Sequence, residues 1–575
     1  MCGIAGAISG AREIAPWVPR VHAMTAALQH RGPDSAGFID ADHVAIGVRR
    51  LAIIDLETGE QPHWNEDRTI VAVANCEIYN YVELREQLVA KGHRFRSAGD
   101  AEVIVHLYEE HGVDCLRLLR GMFALALWDQ AQKRLFLARD RMGEKPLYLF
   151  RTGETLLFAS ELKGLLRSGA VPFDIDRDAV ADFLRYSFVP EPATALRGVT
   201  KLPAGAYMTV ETEPWRVTER RYWSIEDAPS LSGNASALVR ERLDEIAHIV
   251  TRSDVPVGIA LSGGLDSSCI AALIARDSSA DFHCISVGYP GYPPNDESRL
   301  AAEFARELRL PFTRVEIRTS EIVQSYPELV GLRDDPIADI AGPSYAAVAR
   351  TARELGIKVL MQGQGGDELF WGYPWVVEAV RRSEGRGIIG AFRRDRSLVS
   401  YDLTPQFRAA RHALPKLMIG AVPPLHRESA EQPTIALTRL LCETYLRCNG
   451  IVQADRLSMA YSVEPRNPFL DHCLVETVIG LRKTQRDVDL PPKSWLKSAI
   501  ADLVPPAIRN RRKRGFQPPD DWRPALVREY SGLLKTGELA SSGLFRGERL
   551  GRTTALAFPL ITLELWSREL RRYCV

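Results

Sequence analysis

The chain has 575 residues, 46% apolar and 25% charged, with 73 Lys+Arg set against 73 Asp+Glu. These are ordinary globular proportions, which exclude a disordered, collagen-like or coiled-coil chain, and the length calls for roughly two to four domains. A zero balance gives no support to nucleic-acid binding through bulk positive charge, and no apolar run approaches the ~18–20 residues of a membrane span.

The first ~200 residues predict a strand-rich domain with a few helices. Val44–Val48, Ile70–Ala74, Met122–Trp128 and Leu135–Ala138 are short apolar runs bounded by turn or charged residues, as buried strands are. Tyr81 to Ala90 and Glu102 to Glu110 carry helical apolar spacing between them. Sheets packed on helices, an α+β domain, are expected. Glu211 to Asn234, with Pro214, Pro229, Ser230, Ser232 and Gly233, shows no strong helical period and reads as the end of this domain and a linker.

A different pattern follows. Leu238 to Val250 is an amphipathic helix with Val239, Leu243, Ile246 and Val250 on one face. Strand, glycine loop and helix then recur over Val255–Leu261, Ser262–Gly264 and Ser267–Ala275. Strands Phe282–Val287, Phe312–Ile317 and Ile357–Met361 alternate with helices Glu297–Leu308 and Ala346–Leu355. That alternation predicts an α/β doubly wound parallel sheet. From about Val376 the pattern is mainly helical.

Nine cysteines are sparse for this length, and no C-x-x-C pair or Cys/His cluster has zinc-ligand spacing. No basic stretch followed by an apolar run opens the chain, so no signal peptide is expected, and a reduced, cytoplasmic enzyme is the simplest reading. Cys2 stands apart because it directly follows the initiator methionine. Removal of Met1 would place its thiol beside a free α-amine, whose pKa near ~8 lets it act as a base. Read alone, Cys2 is equally a buried strand cysteine.

Its company changes that. Met1-Cys2-Gly3-Ile4-Ala5-Gly6 is followed by His30-Arg31-Gly32-Pro33-Asp34, Arg50-Leu51-Ala52-Ile53-Ile54-Asp55, Asn75-Cys76-Glu77-Ile78-Tyr79-Asn80 and Gly99-Asp100-Ala101-Glu102. In this order the sequence resembles the N-terminal-nucleophile glutamine amidotransferases found at the front of asparagine synthetases. The resemblance implies a four-layer αββα sandwich and a Cys2 thiol that attacks the side-chain amide of glutamine. It implies a glutamine pocket of Arg50, Leu51, Ala52, Ile53, Ile54, Asn75, Cys76, Glu77 and Asp100. Arg50 would hold the α-carboxylate, Asp100 with Glu77 the α-amine, and the Asn75 side chain with the residue 76 N–H the oxyanion. Cys76 departs from the family's usual glycine, which raises the question of a glycine-only backbone and of a second catalytic thiol without an adjacent base.

Leu261-Ser262-Gly263-Gly264-Leu265-Asp266-Ser267-Ser268 lies between an apolar strand and an apolar helix. Small residues and a helix N-terminus suit an anion, the serine hydroxyls add donors, and Asp266 beside phosphate calls for a metal ion, Mg²⁺. No G-x-x-x-x-G-K-[ST] is present, so a Walker NTPase is excluded. The loop resembles the pyrophosphate-binding motif of the ATP pyrophosphatases, which split ATP between the α and β phosphates to form an acyl-adenylate. Gly363-Gln364-Gly365-Gly366-Asp367-Glu368 follows the strand ending at Met361, as the second metal and nucleotide segment does in asparagine synthetases. The resemblance implies Asp266 and Asp367 as Mg²⁺ ligands, and Leu261, Val287, Gln362 and Gly363 lining the AMP site beside Ser262, Gly263, Gly264, Ser267 and Ser268. It gives Lys493 charge stabilisation and Glu464 proton handling or shaping of the acceptor pocket.

Two departures bear on the acceptor carboxylate. Gln364 stands where the family usually has glutamate, a near-isostere without charge or an exchangeable proton at neutral pH. Trp371 replaces a usual glycine. Arg509-Asn510-Arg511-Arg512-Lys513-Arg514-Gly515-Phe516 is a dense basic run that alone could bind nucleic acid, but a solvated or phosphate-facing loop is favoured. The expected organisation is a glutaminase domain over 2–212, a linker over 213–235, and a synthetase domain over 236–575 with a helical C-terminal part. Glutamine, ATP and a carboxylate, aspartate first, are the expected partners, with no nucleic acid and no membrane. A homodimer is compatible with the resemblance. Another carboxylate stays open as acceptor. A non-catalytic homologue is disfavoured because Cys2, Asp266 and Asp367 are all present.

Overall fold

The computed structural model describes residues 2–10, 14–277, 282–294, 296–383, 432–511, 518–542 and 554–575. Arg512 to Phe516 of the basic run lie outside the described residues.

The front half contains two six-stranded sheets. In the first, strand Cys2–Ser9 lies between Thr155–Ala159 and Val44–Arg50 and is antiparallel to both. In the second, Ile70–Ile78 lies between Gly121–Asp129 and the short strand His63–Trp64. The two-residue period of a strand sorts its side chains between layers. Ile4 and Ile8 turn inward to meet Val71, Val73, Ala124 and Ala126 of the other sheet. Ala5 and Ala7 turn outward to Val21 and Met24 of the helix Val18–Ala26. On the far side, Cys76 and Ile78 face Leu84, Leu88, Ile104 and Leu107 of helices Tyr81–Ala90 and Val103–His111. The layers are therefore helix, sheet, sheet, helix: the αββα sandwich expected above.

The segment read as irregular from Glu211 contains a strand, Trp215–Arg221, that pairs with Ala206–Thr212 through a hairpin at Glu213-Pro214. It is an edge strand with a mostly half-exposed or exposed surface. Without an apolar run it leaves no hydrophobic signature.

The rear half is built on a five-stranded parallel sheet in the order Phe312–Glu316, His283–Gly288, Val257–Ala260, Val359–Met361, Glu464–Arg466. One face packs on helices Ala235–Val250 and Leu265–Asp277 through Val239, Leu243, Ile246 and Val250. The other packs on Gly342–Glu354 through Val348 and Ala352. The sheet is thus wound on both faces. Its strand order reverses between Val257–Ala260 and Val359–Met361, where open α/β sheets place their ligands.

The halves meet through buried charge. Arg31, with no exposed surface, donates to Asp455 at 2.8 and 3.1 Å and to Glu161 at 2.8 Å. Arg456 reaches the same Asp455 at 2.7 Å. Arg31→Leu leaves Asp455 and Glu161 buried with one cation fewer, and losing one member of a buried pair costs about 3–5 kcal/mol. A lowered urea midpoint is the expected result, and an unchanged midpoint would show that the network contributes nothing net.

Candidate active sites

Strand register builds the front site. Cys2 pairs directly with Arg50 at the end of their strands, so the two side chains leave the same face of the sheet. Arg50 is held by its Nη2 donating to the carbonyls of Ile54 at 3.2 Å and Asp55 at 2.6 Å. Residues 51–54 form a backbone shelf: Ala52 N–H donates to Asp34 at 2.8 Å, and the Ile53 carbonyl accepts from Asp254 N–H at 3.0 Å. Asn75 reaches across from the second sheet, its Oδ1 accepting from the Cys2 nitrogen at 3.0 Å. Its Nδ2 is buried without a hydrogen-bond partner among the described residues. Burial pushes the Cys2 thiol up; the Leu51 N–H and the Arg50 charge pull it down, and Asp100 adds to the rise.

Cys76 has ordinary extended backbone within Ile70–Ile78, so a glycine conformation is not required there. Its thiol donates to Asp100 Oδ2 at 3.5 Å. Burial first, and then the Asp100 charge, raise that thiol well above its ordinary pKa, which makes a poor nucleophile. Asp100 also accepts from Ile78 N–H at 2.9 Å, and burial raises its carboxyl. An incoming ammonium would restore its charge. Glu77 Oε2 pairs with Arg466 of the rear half at 2.9 Å, while its Oε1 is buried with no hydrogen-bond partner among the described residues and the Asp100 charge acts on the same carboxyl.

In the rear half, the loop Leu261–Gly264 and the segment Gly363–Glu368 leave adjacent strands on either side of the strand-order reversal. Gly263 holds φ +72°, a conformation that favours glycine. Ser267 Oγ meets Ser262 N–H at 3.1 Å and Ser262 Oγ at 3.0 Å, which folds the loop over the helix N-terminus. A Cβ at Gly366 would lie 2.7 Å from Asp266 Cγ, so glycine lets the two loops touch. Lys493 Nζ sits between them, donating to Asp266 at 2.6 and 2.7 Å and lying 2.5 Å from Asp367 Oδ1. Burial opposes its charge, but the two carboxylates outweigh burial and raise its pKa. A pair of carboxylates gathered around one cation is a donor set that also suits Mg²⁺.

Val287 lies near the end of strand His283–Gly288. Gln362 N–H is spent on the Arg466 carbonyl at 2.9 Å. Ser268 is buried in the helix with no hydrogen-bond partner for Oγ among the described residues. Gln364 donates through Nε2 to Tyr345 Oη at 2.5 Å. Glu464 is fully buried, and its Oε1 accepts from Arg466 Nε at 2.6 Å. Trp371 is buried, and the Arg482 guanidinium stacks 4.0 Å from its ring.

Some neighbours have no role assigned from the sequence. Gln61 clamps Ala74, donating to its carbonyl at 2.9 Å and accepting its N–H at 2.6 Å, and presents Nε2 3.5 Å from the Cys2 sulfur. Glu368, inside the quoted motif, is buried beside Asp367. Burial and then that charge raise it to about 7, and Tyr373 donates to it at 2.8 Å. Arg466 bridges Glu77 and Glu464, a role visible only once both halves are in place.

The geometry defines a class: an N-terminal-cysteine sandwich of the amidotransferase type joined to a parallel-sheet domain with a glycine loop at its switch point. The comparisons agree. A glutamine amidotransferase domain model matches residues 1–223, and an asparagine synthase model matches residues 238–568. Asparagine synthetase [glutamine-hydrolyzing] 1 of Bacillus subtilis is 32% identical over 558 residues, covering 90% of this chain and 87% of that one. A putative asparagine synthetase [glutamine-hydrolyzing] of Mycobacterium tuberculosis is 32% identical, covering 89% of this chain and 84% of that one. Amidase chry2 of Gibberella zeae is 28% identical, covering 90% of this chain and 88% of that one. The chain belongs to the asparagine synthase family and is an enzyme of the glutamine-hydrolysing, ATP-using amidotransferase type. Among the described residues no helix is long and apolar enough to cross a membrane.

Proposed function

We propose that the chain makes an amide from a carboxylate, ATP and the ammonia of glutamine, and that the carboxylate is aspartate. Loss of Met1 frees the Cys2 nitrogen, which Asn75 Oδ1 holds beside the sulfur. The sulfur attacks the glutamine side-chain carbonyl, the thiol proton leaves on the departing ammonia, and water later cleaves the thioester to glutamate. The unpartnered Asn75 Nδ2 supports its assignment as oxyanion donor. Arg50 receives the α-carboxylate and Asp100 the α-amine.

At the rear site the acceptor carboxylate attacks the α-phosphorus of ATP and pyrophosphate departs. Ammonia passing inside the protein then displaces AMP. Leu261–Ser268, Val287, Gln362 and Gly363 hold the nucleotide. Asp266 and Asp367 would hold Mg²⁺, which screens phosphate charge when bound. Lys493 then turns its ammonium to the phosphates. The single observation that carries this reading is Lys493 locked between the two carboxylates at the sheet's switch point. Nine free cysteines support a reduced, cytoplasmic setting.

Incubation with glutamine, ATP, Mg²⁺ and aspartate should yield glutamate, pyrophosphate and asparagine. Glutamate with no asparagine would discard aspartate. The second reading, a different carboxylate, is favoured by Gln364, which presents an amide donor to Tyr345 instead of a charge. Gln364→Glu decides between them. With aspartate as native acceptor, asparagine formation should change less than about tenfold, since the isosteric carboxylate can accept from Tyr345. A rise from negligible turnover would establish the other acceptor.

A further inference from the structure

The outer helix layer of the front half holds a cluster that neither reaction uses. Glu66 lies in the turn before strand Ile70–Ile78, His93 in the loop after helix Tyr81–Ala90, and His106 and Glu109 one turn apart on Val103–His111. One ligand atom from each of the four lies within 4.8 Å of all the others.

His106 is the telling member. It has no exposed surface, and neither ring nitrogen makes a hydrogen bond of good geometry. A buried polar side chain left in that state carries a desolvation cost. Its Nδ1 faces Glu66 Oε2 at 3.4 Å and its Nε2 faces Glu102 Oε1 at 3.8 Å. His93 repeats the arrangement. Its Nδ1 lies 3.3 Å from Glu66 Oε1 and 3.8 Å from Glu109 Oε2, while its Nε2 lies 3.3 Å from Glu110. His93 Nδ1 thus turns toward Glu66 and Glu109 and His106 Nδ1 toward Glu66, while each Nε2 lies on the side of a separate carboxylate, where a metal-ligating imidazole makes its outer contact.

A proton alone serves this cluster poorly. Glu66 Oε1 already accepts from Arg94 N–H at 2.7 Å, and a proton on His106 Nδ1 still leaves a 3.4 Å contact. Ligands about 2.0–2.1 Å from a tetrahedral ion stand about 3.3 Å apart, as Glu66 does from His93 and His106 at 3.3 and 3.4 Å, and the other pairs, all within 4.8 Å, would draw in around the ion. Two imidazoles and two carboxylates suit a borderline divalent transition metal. We propose that Glu66, His93, His106 and Glu109 bind one Zn²⁺, which ties a turn, a loop and a helix of the front half together.

The test uses the full chain, stripped by a chelator and titrated with Zn²⁺ against a chromogenic chelator, without ATP or Mg²⁺. Wild type should take up one tight equivalent, with tetrahedral visible absorption when Co²⁺ replaces it. His93→Ala and Glu109→Gln alter partly exposed positions and should fold, as circular dichroism would check. Each should lose that equivalent by at least tenfold in affinity. His472→Asn, in the separate Asp471, His472, Cys473 group, should keep it. No tight equivalent in wild type, or one that survives both cluster variants, overturns the proposal. Loss in His472→Asn alone would do the same.

Discussion

Replacing Cys2 with alanine should lower glutamine-dependent amide formation by more than about 10³-fold and leave the reaction with added ammonium salt within a few-fold of wild type. Among the described residues the Cys2 sulfur is the nucleophile at that point of the sandwich suited to form the thioester. Cys76 cannot substitute, since its thiol is held protonated against Asp100 on the opposite face of its strand. The ammonia reaction should survive because Cys2 contributes nothing to the rear sheet and its change removes only a sulfur from the inner core. Parallel assays of glutamate and pyrophosphate separate the two halves. Retained glutamine hydrolysis would remove Cys2 from its assigned role. Equal loss of both reactions would show that its effect is not confined to the front site.

Lys493→Met should have the complementary effect. Pyrophosphate release should fall by about 10²–10³-fold with either nitrogen source, the usual result of deleting one preorganised charge at a reacting centre. Glutamine hydrolysis measured alone should persist. Methionine keeps most of the side-chain volume, so the change removes charge more than packing. It leaves Asp266 and Asp367 facing each other without their shared cation. A loss below tenfold would mean that the lysine only neutralises the carboxylates in the resting protein.

Much of this was legible in the sequence, and the residues show why. Short continuous apolar runs marked Ile70–Ala74 and Met122–Trp128 as buried strands, because a strand buried on both faces needs no polar side. The glycine loops were legible because backbone approach to an anion leaves few residue choices. Trp215–Arg221 was not, since an exposed edge strand needs no apolar pattern. The Glu77–Arg466–Glu464 bridge was not either: two of its members are 387 residues apart and become neighbours only when the halves dock. Cys76 looked ambiguous by residue type alone, and its place on the helix-facing side of the strand is visible only in the fold.

The buried charges between the halves also constrain how such a chain can be divided or recombined. Arg31, Glu77, Glu161, Asp455 and Arg466 each have at most 2% of their surface exposed, and each finds an opposite charge across or beside the seam. Either half produced alone would strand these groups, at a cost of several kcal/mol per lost partner. A front half grafted onto a different rear half inherits the same problem unless its partner's carboxylates and guanidinium come with it. Chimeras within the family should therefore succeed or fail on the charges at the seam, even where both catalytic loops are intact.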